Sequence, residues 1–348
     1  MKKSLPAYRT GGDFYATNKL KKEVNRWTTK TIIENRFQSQ KLIQTAWSDS
    51  PERIVFHFGA MQSQNYGQSL WAVGSRMTTP SEESVEQAIN NGEIIRTWLL
   101  RGTIHLFSAK DYHWMMDLIA PTIDKICKPY RAKLGLTDEV LHKATEVVSE
   151  IVSEQAVTRK DLAAHLATKD LPSAGIPFAQ LLVYLSSRKV ICSGPNETFR
   201  NTMHIPADTN HFTREEAIKE LAKRYIQSHA PATLKDFCFW SGLTVTDAKI
   251  GLADMPKMGD YYITTLVENG TMPTTIPLAG FDEWIIGYRD RSVVLPEIWH
   301  DEIMTKNGIF RPAIITEGKV VGKWEKPKKR AELDGDFWDR YIQFRNML

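Results

Sequence analysis

Two glutamines separated by one residue, in the tripeptide Gln62-Ser63-Gln64, offer a pair of side chains that chemistry could use, although the tripeptide alone is a weak signal. A carboxamide stays neutral near pH 7 and cannot act as a strong base, but it offers one acceptor oxygen and two N–H donors. A pair of them can hold a water between a carbonyl and an N–H, and can aim carbonyl dipoles at a developing cation. This apparatus suits a reaction whose leaving group needs little help. The plainer alternative is that both glutamines only cap the turn before a helix. Signatures of other chemistries are missing: there is no P-loop, no GxGxxG turn after a strand and no GxSxG elbow. Cys127, Cys192 and Cys238 lie far apart without CxxC spacing, and the nine histidines show no HExxH or HxxxH pair. We therefore expect reduced thiols, no metal and no cofactor.

Downstream, Arg96, Arg101, Thr103 and His105 fall on two short β-like runs, Ile94 to Leu100 and Thr103 to Phe107, joined at Arg101-Gly102. Side chains alternate along a strand, so these four cannot all face one surface. Arg101 and His105 suit phosphate or sugar contacts, although a lone histidine in a strand also suits a partly buried, satisfied group. Near the other end, Asp282, Glu283, Tyr288, Asp290 and Arg291 form the densest polar group. Acid and arginine interleave there, which favours a structural network, with Asp282 or Asp290 fixing an arginine across a domain junction, over a catalytic carboxylate pair. Trp71, Trp98 and Trp324 sit in periodic segments and read as core rather than as base-stacking platforms.

The elements that must position these residues follow from periodicity and caps. Ile32, Ile33, Phe37, Ile43, Ala46 and Trp47 predict an amphipathic helix to about Ser48, and Ser50-Pro51 opens a second that ends at Gly59. A third is predicted from about Gln64 to Met77, followed by one from Thr79-Pro80 and the two strands. Helices followed by a two-stranded wing describe a winged helix, and the order recurs twice. It recurs through helices at 137 to 153, 158 to 168 and 177 to 189, and again at 213 to 229, 233 to 240 and 246 to 253. Strand-like runs at 274 to 279, 284 to 288, 309 to 316 and 319 to 324 predict a β-rich unit or small barrel, and the tail from Phe337 to Met347 reads as a helix. The expected class is α+β: a basic arm at 1–30, winged helices at 31–120, 121–206 and 207–270, and the β-rich unit with its helix at 271–348.

The chain of 348 residues carries a net charge of +4, unevenly spread. Residues 1 to 110 hold 15 Lys and Arg against 9 Asp and Glu, and a second basic cluster includes Lys319, Lys323, Lys326, Lys328, Lys329 and Arg330. Two basic regions on a balanced protein suit a polyanionic partner, since each cation placed on a phosphate releases condensed counterions. No apolar run is long enough to span a bilayer, so no membrane partner and a cytoplasmic location are expected.

Four segments resemble the AlkZ/YcaQ-like winged-helix DNA glycosylases: FGAMQSQNYGQSLWAVGSRM at 58 to 77, IIRTWLLRGTIHLFSAKDYHWM at 94 to 115, FDEWIIGYRDRS at 281 to 292 and GIFRPAIITEGKVVGKW at 308 to 324. The resemblance implies tandem winged helices with a β-barrel. It also implies that Gln62 and Gln64 are catalytic, in a monofunctional enzyme excising cationic alkylated bases or unhooking crosslinks. Asn65, Arg76, Arg101, His105, Arg291 and Lys323 would then contact double-stranded, alkylated DNA, with the protein acting as a monomer. Asn65 stands where many relatives carry Asp, which leaves open a DNA-binding protein or transcription regulator without catalytic activity.

Overall fold

The computed structural model describes residues 28–207, 210–264, 273, 275–325 and 336–346, so most of the basic arm and the cluster from Lys326 lie outside the described residues. Side-chain caps set most helix starts, because a Ser, Thr, Asn or Asp oxygen takes one of the N–H groups that the first turn leaves unpaired. Thr28 closes a capping box on α1 (Thr29–Ser39), Ser50 caps α2 (Pro51–Phe58), Asn65 caps α3 (Tyr66–Gly74) and Ser81 caps α4 (Glu82–Asn90). The single helix expected to run to Ser48 stops at Ser39. Lys41 turns left-handed (φ 54) and Leu42 N–H returns to Phe37 O at 2.9 Å, which closes the helix and turns Leu42 and Ile43 into the core.

The strands β2 (Ile94–Trp98) and β3 (Ile104–Ser108) pair antiparallel as predicted. The sequence reading missed β1 (Met61–Gln62), which adds to the other edge of β3 with Gln62 opposite His105. The third helix accordingly starts at Tyr66 with Asn65 as its cap, so Gln62 lies on a strand, Gln64 in the bend after it, and neither glutamine is the helix cap. The helix α5 (Tyr112–Lys133), which was not among the elements read from sequence, leads away from this unit.

A separate core holds α6 (Asp138–Glu154), α7 (Arg159–Ala167) and α8 (Gly175–Ser187) through Leu141, Val148, Leu162 and Leu181, beside the hairpin of β4 (Cys192–Ser193) and β5 (Phe199–Arg200). The helices α9 (Arg214–His229), α10 (Leu234–Ser241) and α11 (Val245–Gly251) follow, with β6 (Ala232–Thr233), β7 (Lys257–Met258) and β8 (Tyr261–Tyr262) in a small sheet ordered β6-β8-β7.

The last unit is an open antiparallel sheet, β11-β10-β9, built from β9 (Thr275–Leu278), β10 (Ala313–Thr316) and β11 (Lys319–Lys323), and not a barrel. One predicted strand is helix instead: Asp282 accepts the Trp284 N–H and starts α12 (Glu283–Ile286), so the run meant to supply another strand leaves the sheet. Helices α13 (Glu297–Ile303) and α14 (Asp336–Phe344) complete the fold.

Ile33 and Phe37 of α1 share a core with Ile276, Ile315 and Val320 of the sheet, and Phe37 meets Trp284 at 4.7 Å. The β10–β11 turn passes so close that a Cβ on Gly318 (φ 80) would lie 2.3 Å from Ile33, which requires glycine there. The fold is therefore mixed α and β, with both ends of the described chain packed together. Among the described residues no helix is long and apolar enough to cross a membrane.

Candidate active site

The packing of α12 behind β1 puts Glu283 directly under the glutamine motif. Glu283 is 1% exposed and takes three N–H groups: Gln62 backbone at 2.8 Å on Oε1, and Trp240 Nε1 at 3.1 Å and His229 Nε2 at 3.3 Å on Oε2. Burial alone would raise its pKa. The His229 and Gln62 donors outweigh that and hold it below the usual carboxylate range. Burial pushes His229 down, so the pair is a carboxylate and a neutral imidazole whose Nε2–H donates. Three elements distant in sequence, β1, the end of α9 and α10, are thus pinned on one buried negative charge.

Above it, Arg101 approaches the Gln62 side chain. Its backbone is left-handed (φ 56), and its guanidinium donates to Phe239 O and Trp240 O at the end of α10, and through Nη2 to Gln62 Oε1 at 3.1 Å. Gly242 (φ 74) leaves room for it: a Cβ there would sit 3.2 Å from Arg101 Cγ. A guanidinium has no acceptor, so the Gln62 atom facing it must be the oxygen, which fixes the carboxamide orientation. The Gln62 NH2 consequently points away from Arg101. Gln62 is nearly buried, whereas Gln64, two residues on in the bend that leads into α3, is exposed. Between them Ser63 turns the other way, receiving Arg96 Nε on its hydroxyl at 2.9 Å.

Two residues expected to touch DNA do not reach the surface. Arg76 is fully buried, clamped bidentate by Asp282 (Nη1 to Oδ2 3.0 Å, Nη2 to Oδ1 2.9 Å) and bonded to Gln40 O and Ala72 O. It is the arginine that the interleaved acids were expected to fix, and it is structural. His105 is also fully buried, with Nδ1 2.9 Å from Thr103 O. That contact makes Nδ1 the N–H donor and leaves Nε2 an acceptor with no partner among the described residues.

The other candidates divide. Asn65 is exposed and its side-chain oxygen caps α3 by accepting Gln68 N–H at 3.1 Å, a duty Asn and Asp perform equally well. Arg291 is half-buried, donates to Ile285 O at 3.0 Å and comes near Arg101 through a shared aromatic ring. Lys323 meets Glu302 at 2.6 Å on β11 and is not among the residues gathered at Gln62. Trp71 and Trp324 are core, donating to Pro277 O and Leu278 O, while Trp98 stacks on Phe199.

The buried histidines give the protein a pH dependence. Burial first, then the Arg101 charge, holds His105 at about 4 against the pull of Glu283, and burial holds His57 at about 4 as well. Between pH 6.5 and 4 the unfolded chain takes up protons that the folded chain refuses, so stability falls as pH falls through this window. The slope is on the order of 1 kcal/mol per pH unit for each ring. Melts from pH 7 to 5 are expected to show a steadily falling midpoint, and a flat series would contradict the neutral assignment.

Comparison with known proteins decides the affiliation. The family described as DNA glycosylase AlkZ-like matches residues 55–338. The chain belongs to that family. Among AlkZ-like relatives, the interstrand DNA cross-link repair glycosylase of Streptomyces sahachiroi is 26% identical over 325 residues, covering 85% of this chain and 87% of its own. The solved structure of the Streptomyces sahachiroi DNA glycosylase AlkZ shares the fold, with a TM-score of 0.68 at 21% identity over 87% of this chain and 89% of that one.

Sequence reasoning named Gln62, Gln64 and Arg101 as candidates and put Glu283 only in a polar group, without foreseeing that its carboxylate is buried beneath the Gln62 backbone. The available signal was a carboxylate inside the apolar run Phe281, Trp284, Ile285, Ile286, since a buried acid must find donors.

Proposed function

We propose that this protein is a monofunctional DNA glycosylase. It hydrolyses the N-glycosidic bond of cationic alkylated bases in double-stranded DNA, and unhooks crosslinks whose attachment is of that kind, in keeping with its Streptomyces relative, an interstrand DNA cross-link repair glycosylase. The observation that carries this reading is the Gln62 carboxamide, locked by Arg101 with no partner for its NH2 among the described residues, two residues from the exposed Gln64.

A water that accepts from Gln62 Nε2 and donates to the Gln64 carbonyl is oriented with a lone pair free for C1′ of the sugar. As the C1′–N bond breaks, its electron pair neutralises the positive charge on the base, so the leaving group needs no proton. The water oxygen bonds to C1′, and the oxonium so formed gives its proton to solvent water, with the Gln64 carbonyl only orienting it by accepting a hydrogen bond. Carbonyl dipoles and the buried Glu283 charge favour the oxocarbenium-like sugar. Asn65 and Arg101, flanking the motif, serve as contacts to the DNA backbone. The helix triplets α2–α4 and α9–α11, each with its small sheet, act as winged helices on the duplex.

Duplexes carrying a single N7-methylguanine, a single uracil or no modification, treated with the protein and then with hot alkali, test the proposal. Strand breaks are expected for N7-methylguanine alone. Equal breakage of uracil would remove the cationic-base mechanism, and no breakage of any alkylated duplex would remove the enzyme.

A further inference from the structure

Three guanidiniums converge on one half-buried ring beside the motif. Arg291, Arg101 and Arg289 lie 4.9, 5.4 and 5.8 Å from the centroid of Phe239, on α10. Each lies within the distance at which a cation over an aromatic ring is attracted to its π-face. None of the three guanidiniums forms an ion pair with a carboxylate of the described residues.

The nearest acids serve the backbone instead. Asp236 Oδ1 accepts the N–H of Arg289 at 2.8 Å, its Oδ2 accepts Thr233 N–H and Oγ–H, and Asp290 Oδ1 accepts Ser292 N–H at 2.9 Å. Burial, then the charges of Arg101 and Arg289, depress the Arg291 pKa, and Asp236 and Asp290 act against them. Like charges brought this close repel, and folding alone gives no reason to gather them. An anion placed among them removes the repulsion and adds charge-assisted hydrogen bonds, which planar guanidiniums give to phosphate in pairs.

Because Arg101 also bonds Gln62 Oε1, this cationic cluster begins one hydrogen bond from the glutamine motif. Arg289 is exposed and its guanidinium makes no hydrogen bond within the described residues, so it is free to swing onto a ligand. We infer that Arg101, Arg289 and Arg291 around Phe239 are the site that grips the phosphates flanking the nucleotide under attack, an assignment that rests on the glycosylase reading for the identity of that nucleotide. Arg289 is the member that nothing in the sequence pattern singled out. The cluster sets where along the strand the sugar sits relative to Gln62.

The test is the salt dependence of binding to a duplex containing one N7-methylguanine, for wild type, Arg289→Ala, Arg291→Ala and the double variant. Each phosphate contact contributes a slope of about 0.9 in log K against log salt. Each single variant is expected to lower the slope by about 1 and the double by about 2. Lys143→Ala, an equal loss of charge on α6, should leave the slope unchanged. Arg291→Lys, scored with a melting curve, separates lost contact from lost folding, because it keeps the charge.

Slopes that stay at the wild-type value, or fall equally for Lys143→Ala, overturn the inference. Excision is scored on the same preparations. A fall in slope specific to the arginines with no excision by wild type would sustain the phosphate site while removing the glycosylase reading. Excision with unchanged slopes would do the reverse.

Discussion

Alanine at Gln62 is expected to slow base excision under enzyme excess by on the order of 10²–10³, the loss typical when one preorganised dipole is removed from a charge-stabilising site. Folding should hardly notice. The bond that ties β1 to Glu283 comes from the Gln62 backbone N–H and survives the substitution, and the side chain gives up only its acceptance of Arg101, worth about 1 kcal/mol. Gln64→Ala, at an exposed side chain, should cost stability even less while lowering the rate in the same direction. Single-turnover rates set beside melting curves check both. A rate loss matched by a large fall in melting temperature would mean that the glutamines hold the fold rather than the water.

Asp282→Ala should be the most damaging substitution for stability. It strips the bidentate partner from Arg76 while both side chains lie wholly out of solvent, leaving a guanidinium charge buried without a counterion. Breaking such a pair costs about 3–5 kcal/mol, or a melting temperature lower by on the order of 10 °C. The same carboxylate caps α12, so its loss also loosens the helix that delivers Glu283. Excision should fall along with folding. An Asp282→Ala protein that melts like wild type would show that the Arg76 clamp contributes nothing to the junction.

These two substitutions mark what the sequence makes legible and what it hides. Gln62 and Gln64 were legible through the likeness of residues 58 to 77 to a family motif, the tripeptide alone being a weak signal, and Arg101 through its place at the tip of a two-stranded wing. The hairpin of β2 and β3 was readable because Arg101-Gly102 interrupts two β-like segments. Arg76 and His105 misled for a common reason: a charged or titratable side chain reads as surface until a distant partner or a closed sheet buries it, and Asp282 lies 206 residues away from Arg76.

The short strand β1 was hidden because two residues carry no period, and its pairing depends on β3, more than forty residues on. The run at 284 to 288 looked like strand from its Trp and Ile content. The cap from Asp282 overrode that propensity, turned Glu283 inward and left a three-stranded sheet where a barrel had been expected.

The mechanism stands on the claim that water, oriented at Gln62 and Gln64, cleaves the bond between sugar and alkylated base. The measurement that reaches it most directly follows free N7-methylguanine by mass spectrometry as it leaves a singly modified duplex, for wild type and the Gln62→Ala, Gln64→Ala double variant side by side. Wild type is predicted to release the free base and leave an intact strand that breaks only in alkali, while the double variant, equally folded, releases none above the spontaneous rate. Equal release by both proteins would contradict the mechanism and move the chemistry away from this motif.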